Sequence, residues 1–171
     1  MRKQAVFTAS IALLGALLTG AWAVTQFYQP NRSARLVVAL KARETYPSKP
    51  VTVTVMLSNQ ATQPILINNR MLFNQYPHPG EISFQIEGPN QKPYPLLKPV
   101  IPQDIREENL VVLPPGQTME QTADLTDLYG VRKKGKYRVQ VIYYNSVDLE
   151  KDGLNTWRGT IASEPTEITL Q

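Results

Sequence analysis

Asp148-Leu149-Glu150-Lys151-Asp152-Gly153 is the strongest chemical motif in the chain. Carboxylates at alternate positions ending in glycine resemble the first half of a calcium loop, where the first, third and fifth residues supply oxygens and glycine permits the sharp turn. Two features work against a cation site. Glu150 stands where Asp or Asn is usual, and the twelfth position is Gly159 instead of a bidentate Glu. With so incomplete a ligand set, the reading favoured here is a solvated acidic loop, holding calcium at best at around millimolar affinity. No other cofactor is expected. The same stretch is also the leading binding candidate. Asn145 to Trp157 is long for a connection between two strands, and it combines Asp148, Glu150 and Asp152 with the flanking aromatics Tyr144 and Trp157. Long loops on a rigid sheet are where binding residues concentrate.

The remaining reactive residue types point away from catalysis. His78, the single histidine, lies in Tyr76-Pro77-His78-Pro79-Gly80 with no neighbouring carboxylate, as expected of an exposed loop residue. The chain has no cysteine, which rules out thiol nucleophiles and thiolate metal sites. No Ser stands in a nucleophile motif, and there is no glycine-rich phosphate loop. Glu107 and Glu108 are adjacent, so nothing sets them apart as a glycosidase pair. Arg132-Lys133-Lys134-Gly135-Lys136 is a basic cluster with no interleaved aromatic; it reads first as a charged turn that keeps a strand connection soluble. Exposed rings at Tyr76, Tyr144 and Trp157 would suit sugar stacking or a protein anchor, whereas inward alternation gives Tyr137 and Tyr143 to the core. For Trp157, filling the core is the slightly favoured assignment.

The first residues set the context. Arg2 and Lys3 precede an apolar run from Ala5 to Leu18, followed by Thr19-Gly20-Ala21-Trp22-Ala23. This is the pattern of a secretory signal peptide, residues 1–23, with the mature chain starting at Val24. Left uncleaved, the same segment would serve as an anchor helix, the one circumstance in which a membrane contact is expected. Either way the rest of the chain is extracytoplasmic, periplasmic or secreted. The formal charge of the 171-residue chain is +4, from 18 basic and 14 acidic residues. Losing Arg2 and Lys3 lowers it to +2, which gives no electrostatic case for nucleic acid.

Residues 24–34 show no periodicity and read as a leader or tether. From residue 35 to 171 the apolar period is two almost throughout. Leu36, Val38 and Leu40 alternate, as do Val51 to Leu57, Ile82 to Ile86, Tyr137 to Tyr143, and Ile168 with Leu170. Pro64 to Ile67 and Leu110 to Leu113 are continuously apolar, as in more fully buried strands. Pro79-Gly80, Gly88-Pro89, Pro114-Pro115-Gly116 and Lys134-Gly135 supply the turns. With no capped helical stretch apparent after the signal helix, the expected fold is all-β, an Ig-like antiparallel β-sandwich of seven or eight strands. The proline-rich run from Pro89 to Pro102 is expected to cross between the sheets or line an edge.

Leu113-Pro114-Pro115-Gly116-Gln117, Asp124 to Tyr129, Gly135-Lys136-Tyr137-Arg138-Val139-Gln140-Val141, Trp157-Arg158-Gly159 and Ser163-Glu164-Pro165 together resemble Ig-like sandwich domains of bacterial exported proteins. They are similar in particular to the non-catalytic domain preceding the protease domain of deuterolysin-type metallopeptidases. The His-Glu-x-x-His helix of those proteases has no counterpart here, so no protease activity is implied. On residues alone, Tyr137 after Gly135 at the start of a strand suits a tyrosine corner, its hydroxyl bonding backbone upstream. The functional expectation is an exported, non-enzymatic binding or assembly module that recognises a protein partner in the cell envelope or outside the cell through sandwich loops. The alternatives are a proteinaceous protease inhibitor, presenting Tyr76 to Gly80 or Pro89 to Pro102, and a carbohydrate-binding module.

Overall fold

Period-two alternation becomes strands with one face inward. The structure, a computed structural model, describes residues 36–42, 49–74, 82–98 and 104–171. The signal segment, the leader, and Tyr76 with His78 lie outside the described residues. The elements are β1 (Leu36–Ala42), β2 (Thr52–Asn59), β3 (Ile65–Asn68), β4 (Ile82–Glu87), β5 (Leu110–Leu113), β6 (Thr118–Asp124), α1 (Leu125–Tyr129), β7 (Gly135–Asn145), β8 (Glu150–Lys151), β9 (Leu154–Asn155), β10 (Gly159–Ala162) and β11 (Thr166–Leu170). One sheet is β1-β2-β6; in the other, β7 pairs β4 on one edge and β10 and β11 on the other. All these pairs are antiparallel. The fold is an all-β sandwich, with β3 and β5 forming a small additional ladder.

The core fills the space between the sheets. Val53, Val55 and Leu57 of β2 and Tyr137, Val139, Val141 and Tyr143 of β7 are all buried there, together with Ile82, Phe84 and Ile86 of β4. Ile168 and Leu170 of β11 join them. β10 and β11 are one edge strand broken by a bulge. Ala162 lies opposite Ile142 and Thr166 opposite Val139, so Ser163 to Pro165 face only Gln140 and Val141. The extra residue shifts the alternation, which is how Ile161 and Ile168 both reach the core. Ser163 holds the bulge, its hydroxyl accepting from the Val141 N–H at 3.1 Å. Bulge and Pro165 together spoil this edge as a template for foreign strands.

Two features depart from the sequence reading. Asp124-Leu125-Thr126-Asp127 leads from β6 into a short capped helix, where no capped helical stretch is apparent from sequence. The Asp124 carboxylate accepts from the Thr126 and Asp127 N–H groups, and Gly130 closes α1 in the left-handed region. Leu125 is nevertheless buried, as its apolar character demands. In the β3–β5 ladder, β3 is wholly buried but Val112 of β5 is 39% exposed, so the run Leu110 to Leu113 is only half enclosed.

The tyrosine corner is present. Tyr137 is 1% exposed, its hydroxyl donates to the Lys133 carbonyl at 2.8 Å, and its ring meets Tyr94 edge-on at 5.6 Å. Gly135 makes the preceding turn possible: its φ is +133°, and a Cβ there would lie 2.5 Å from Pro89. The proline-rich segment crosses between the sheets as far as it is described. Tyr94 N–H bonds the Ile86 carbonyl of β4, and Leu97 N–H bonds the Leu128 carbonyl of α1. On this path residues 89–98 lie along the sandwich.

Burial pushes the Tyr137 phenol up to about 12, with neighbouring Tyr94 adding to the rise. Burial does the same to Tyr129, also to about 12, partly offset by the Phe84 N–H donated to its oxygen. A phenol raised from about 10 in the unfolded chain stabilises the fold fully below pH 10, and that stability is lost as pH rises towards 12. Alkaline melting curves should therefore fall between pH 10 and 12, and Tyr129→Phe should flatten that fall.

Candidate functional site

The connection from β7 to β10 is a hairpin fastened to the sandwich. Asn145, 2% exposed, ends β7; its side-chain amide donates to the Trp157 carbonyl at 2.6 Å and its side-chain oxygen accepts from the Val147 N–H at 3.3 Å. Buried Thr156 provides a second clasp: its hydroxyl donates to the Val147 carbonyl at 2.7 Å and accepts from the Leu149 N–H at 3.0 Å. β8 and β9 pair through Lys151 and Leu154, leaving Asp152-Gly153 as a two-residue turn. Both turn residues have positive φ, 54° and 74°, which makes Asp-Gly the natural chemistry for this hairpin. The glycine that suggested a calcium loop is thus a hairpin glycine.

The hairpin covers a second apolar patch. Leu66 and Leu110 are 0% and 1% exposed, yet they lie outside the main core cluster. They belong to the opposite face of β3–β5 from Ile65 and Ile67. Thr156 bridges to Leu66, whose carbonyl accepts from the Trp157 N–H, along the edge of β3 away from β5. The Lys151 ammonium nevertheless donates to the Leu110 carbonyl of β5 at 3.1 Å. Two strand spacings are about 10 Å, beyond a lysine's reach within the sheet plane, so the hairpin folds across β3 to make this bond. Sequence reasoning missed this role. The only signal for it was the continuous apolar run of β3, which requires cover on both faces.

The anticipated site residues are dispersed. Trp157 is 6% exposed and packs against Tyr143 at 5.7 Å; it fills the core and presents no stacking face. Tyr144 is half-buried on the outer face of β7 opposite Thr160, the face of the strand away from Tyr143. Tyr144 and Trp157 therefore form no common platform. Asp148 pairs with Arg158 at 2.7 Å, while Glu150 and Asp152 stand exposed on the hairpin. Among the described residues, no three His, Cys, Asp or Glu side chains gather closely enough to hold a metal ion. Calcium at several millimolar is expected to leave the melting temperature unchanged, a prediction that a thermal titration checks directly.

What the hairpin region does present is apolar surface. Val112 and Leu149 are 39% and 37% exposed. Val112 pairs with Leu66, Leu66 bridges to Thr156, and Thr156 N–H bonds the Leu149 carbonyl, so backbone pairing links the two through buried Leu66 and Thr156. The bulge opens a separate cleft of about 250 Å³ on the outer face of the β7 sheet, lined by Gln85, Arg138, Gln140, Ser163, Glu164 and Pro165. The chain matches no protein-family model and no curated protein sequence.

Proposed function

We propose that the protein is an exported, non-enzymatic binding module that recognises a protein partner through the hairpin between β7 and β10 and the adjoining β5. Its place among Ig-like sandwich domains similar to those preceding deuterolysin-type proteases belongs to the same reading. The observation that carries it is the pair of exposed apolar side chains on fixed backbone, Leu149 on the hairpin held by the Asn145 and Thr156 clasps and Val112 on β5 paired with β3. A preformed surface loses little conformational freedom on binding, and apolar anchors with a charged margin, here Glu150 and Asp152, suit a protein interface. Among the described residues neither alternative gains comparable support: Trp157 offers no face to a sugar and residues 89–98 lie along the sandwich, while Tyr76 to Gly80 lies outside them. The test is capture from the exported fraction of the native host. The wild-type protein should retain a defined partner that Val112→Asp/Leu149→Asp loses while melting unchanged; equal capture by the variant would move the site elsewhere.

A further inference from the structure

The topology concentrates positive charge at the end of the sandwich occupied by α1. Arg132, Lys133 and Lys134 occupy the turn between α1 and β7. Lys92 joins them from the turn after β4, where Pro89 rests on Gly135. Lys49 arrives through Val51, whose carbonyl accepts from the Leu125 N–H of α1. All five are exposed, and none forms an ion pair among the described residues. Of the acids nearby, Asp124 caps α1, Asp127 pairs with Lys98 and Glu167 pairs with Lys136, while Glu87 lies beside Lys92 through its bridge to Pro93. The central turn is also rigid, because the Tyr137 hydroxyl holds the Lys133 carbonyl. β7 runs from this end to the acidic hairpin, and β1 begins away from it, opposite Asn59 at the far end of β2.

We infer that the α1 end is a second binding surface, and that its ligand is an acidic polysaccharide. Five exposed cations with no ion pair among the described residues, three of them on the turn pinned by Tyr137, attract a chain of spaced anions by releasing its counterions. The only large exposed apolar side chain there among the described residues is Leu97, too little for the buried centre of a protein interface. Tyr129 and Tyr137 are buried, and the half-buried Tyr94 ring is held edge-on against Tyr137 and beside Gly88, which leaves no pair of open rings for unpaired nucleobases to stack on. Lysine predominates and acts as a point charge, which suits anions read by spacing.

The test is titration of the purified protein with fluorescent heparin as probe, over a range of salt concentrations, with neutral dextran and charge-matched single-stranded DNA as controls. Heparin should bind more tightly than DNA, and dextran not at all. Arg132→Gln/Lys133→Gln/Lys134→Gln should weaken heparin binding at least about tenfold at low salt and reduce the salt slope by about two to three. The fold should be unaffected, since Tyr137 bonds the Lys133 main chain. Gln60→Glu/Gln63→Glu/Gln117→Glu changes net charge equally near the far end of β2, and should leave affinity within about twofold. Equal losses in the two triple variants would reduce the effect to net charge and overturn the site. Undiminished binding by the first variant, or DNA bound as tightly as heparin, would overturn it too.

Discussion

Tyr137→Ala is expected to lower the stability of the sandwich by about 3–5 kcal/mol, the cost of emptying a large aromatic site in a packed core. Tyr137→Phe should cost about 1–2 kcal/mol, because the Lys133 carbonyl then loses its donor. The ratio between the two variants is informative. Tyr137 closes the core beneath the α1–β7 turn, with its ring against Tyr94 and its hydroxyl on Lys133. If the corner merely decorated the turn, both variants would melt like the wild type. Chemical denaturation with both variants reads the two contributions separately.

Replacing Ser146 to Asn155 with a short Gly-Ser turn should be at least as damaging, with a loss of roughly 3–6 kcal/mol. Leu66 and Leu110 would lose their cover, at about 1.5–3 kcal/mol for each large apolar side chain returned to water. The Thr156 hydroxyl would also lose its partners at Val147 and Leu149. An ordinary surface loop would tolerate the same exchange within about 1 kcal/mol, since added or removed loop length alone costs little. Urea unfolding distinguishes the two. Partner capture by this deletion is not a clean test of binding, because loss of capture would follow from loss of the fold. Side-chain exchange at Leu149 and Val112 avoids that confusion.

The sandwich was legible because each principal strand carries its own burial pattern. Val53-x-Val55-x-Leu57 and Tyr137-x-Val139-x-Val141-x-Tyr143 specify their inward faces without reference to any partner. Gly135-x-Tyr137 specified the corner for the same reason: both residues act locally. The bulge was legible in principle. Ile161 and Ile168 are an odd number of residues apart yet both face inward, which requires one extra residue between them. Asp124 and Gly130 bracket α1 as its caps, but a helix this short has no apolar period to reveal it. The hairpin was hidden for a different reason. Asp-x-Glu-x-Asp-Gly is an incomplete ligand set for a cation loop and suits an Asp-Gly turn, but nothing in it names the distant partners Leu66 and Leu110. Asn59 belongs with Asn145 in this respect. Its amide donates to the Gln63 and Leu113 carbonyls and its oxygen accepts from Ala61, a buried polar role defined wholly by tertiary neighbours.

Site-specific photo-crosslinking in the native host tests the proposed recognition surface most directly. A photoreactive side chain at Leu149, and separately at Val112, should each yield an adduct with the same protein. One placed at Thr169, an exposed position of β11 away from the hairpin, should yield none. An adduct from Thr169 together with none from Leu149 and Val112 would contradict the proposal and place the partner on the face of the β7 sheet.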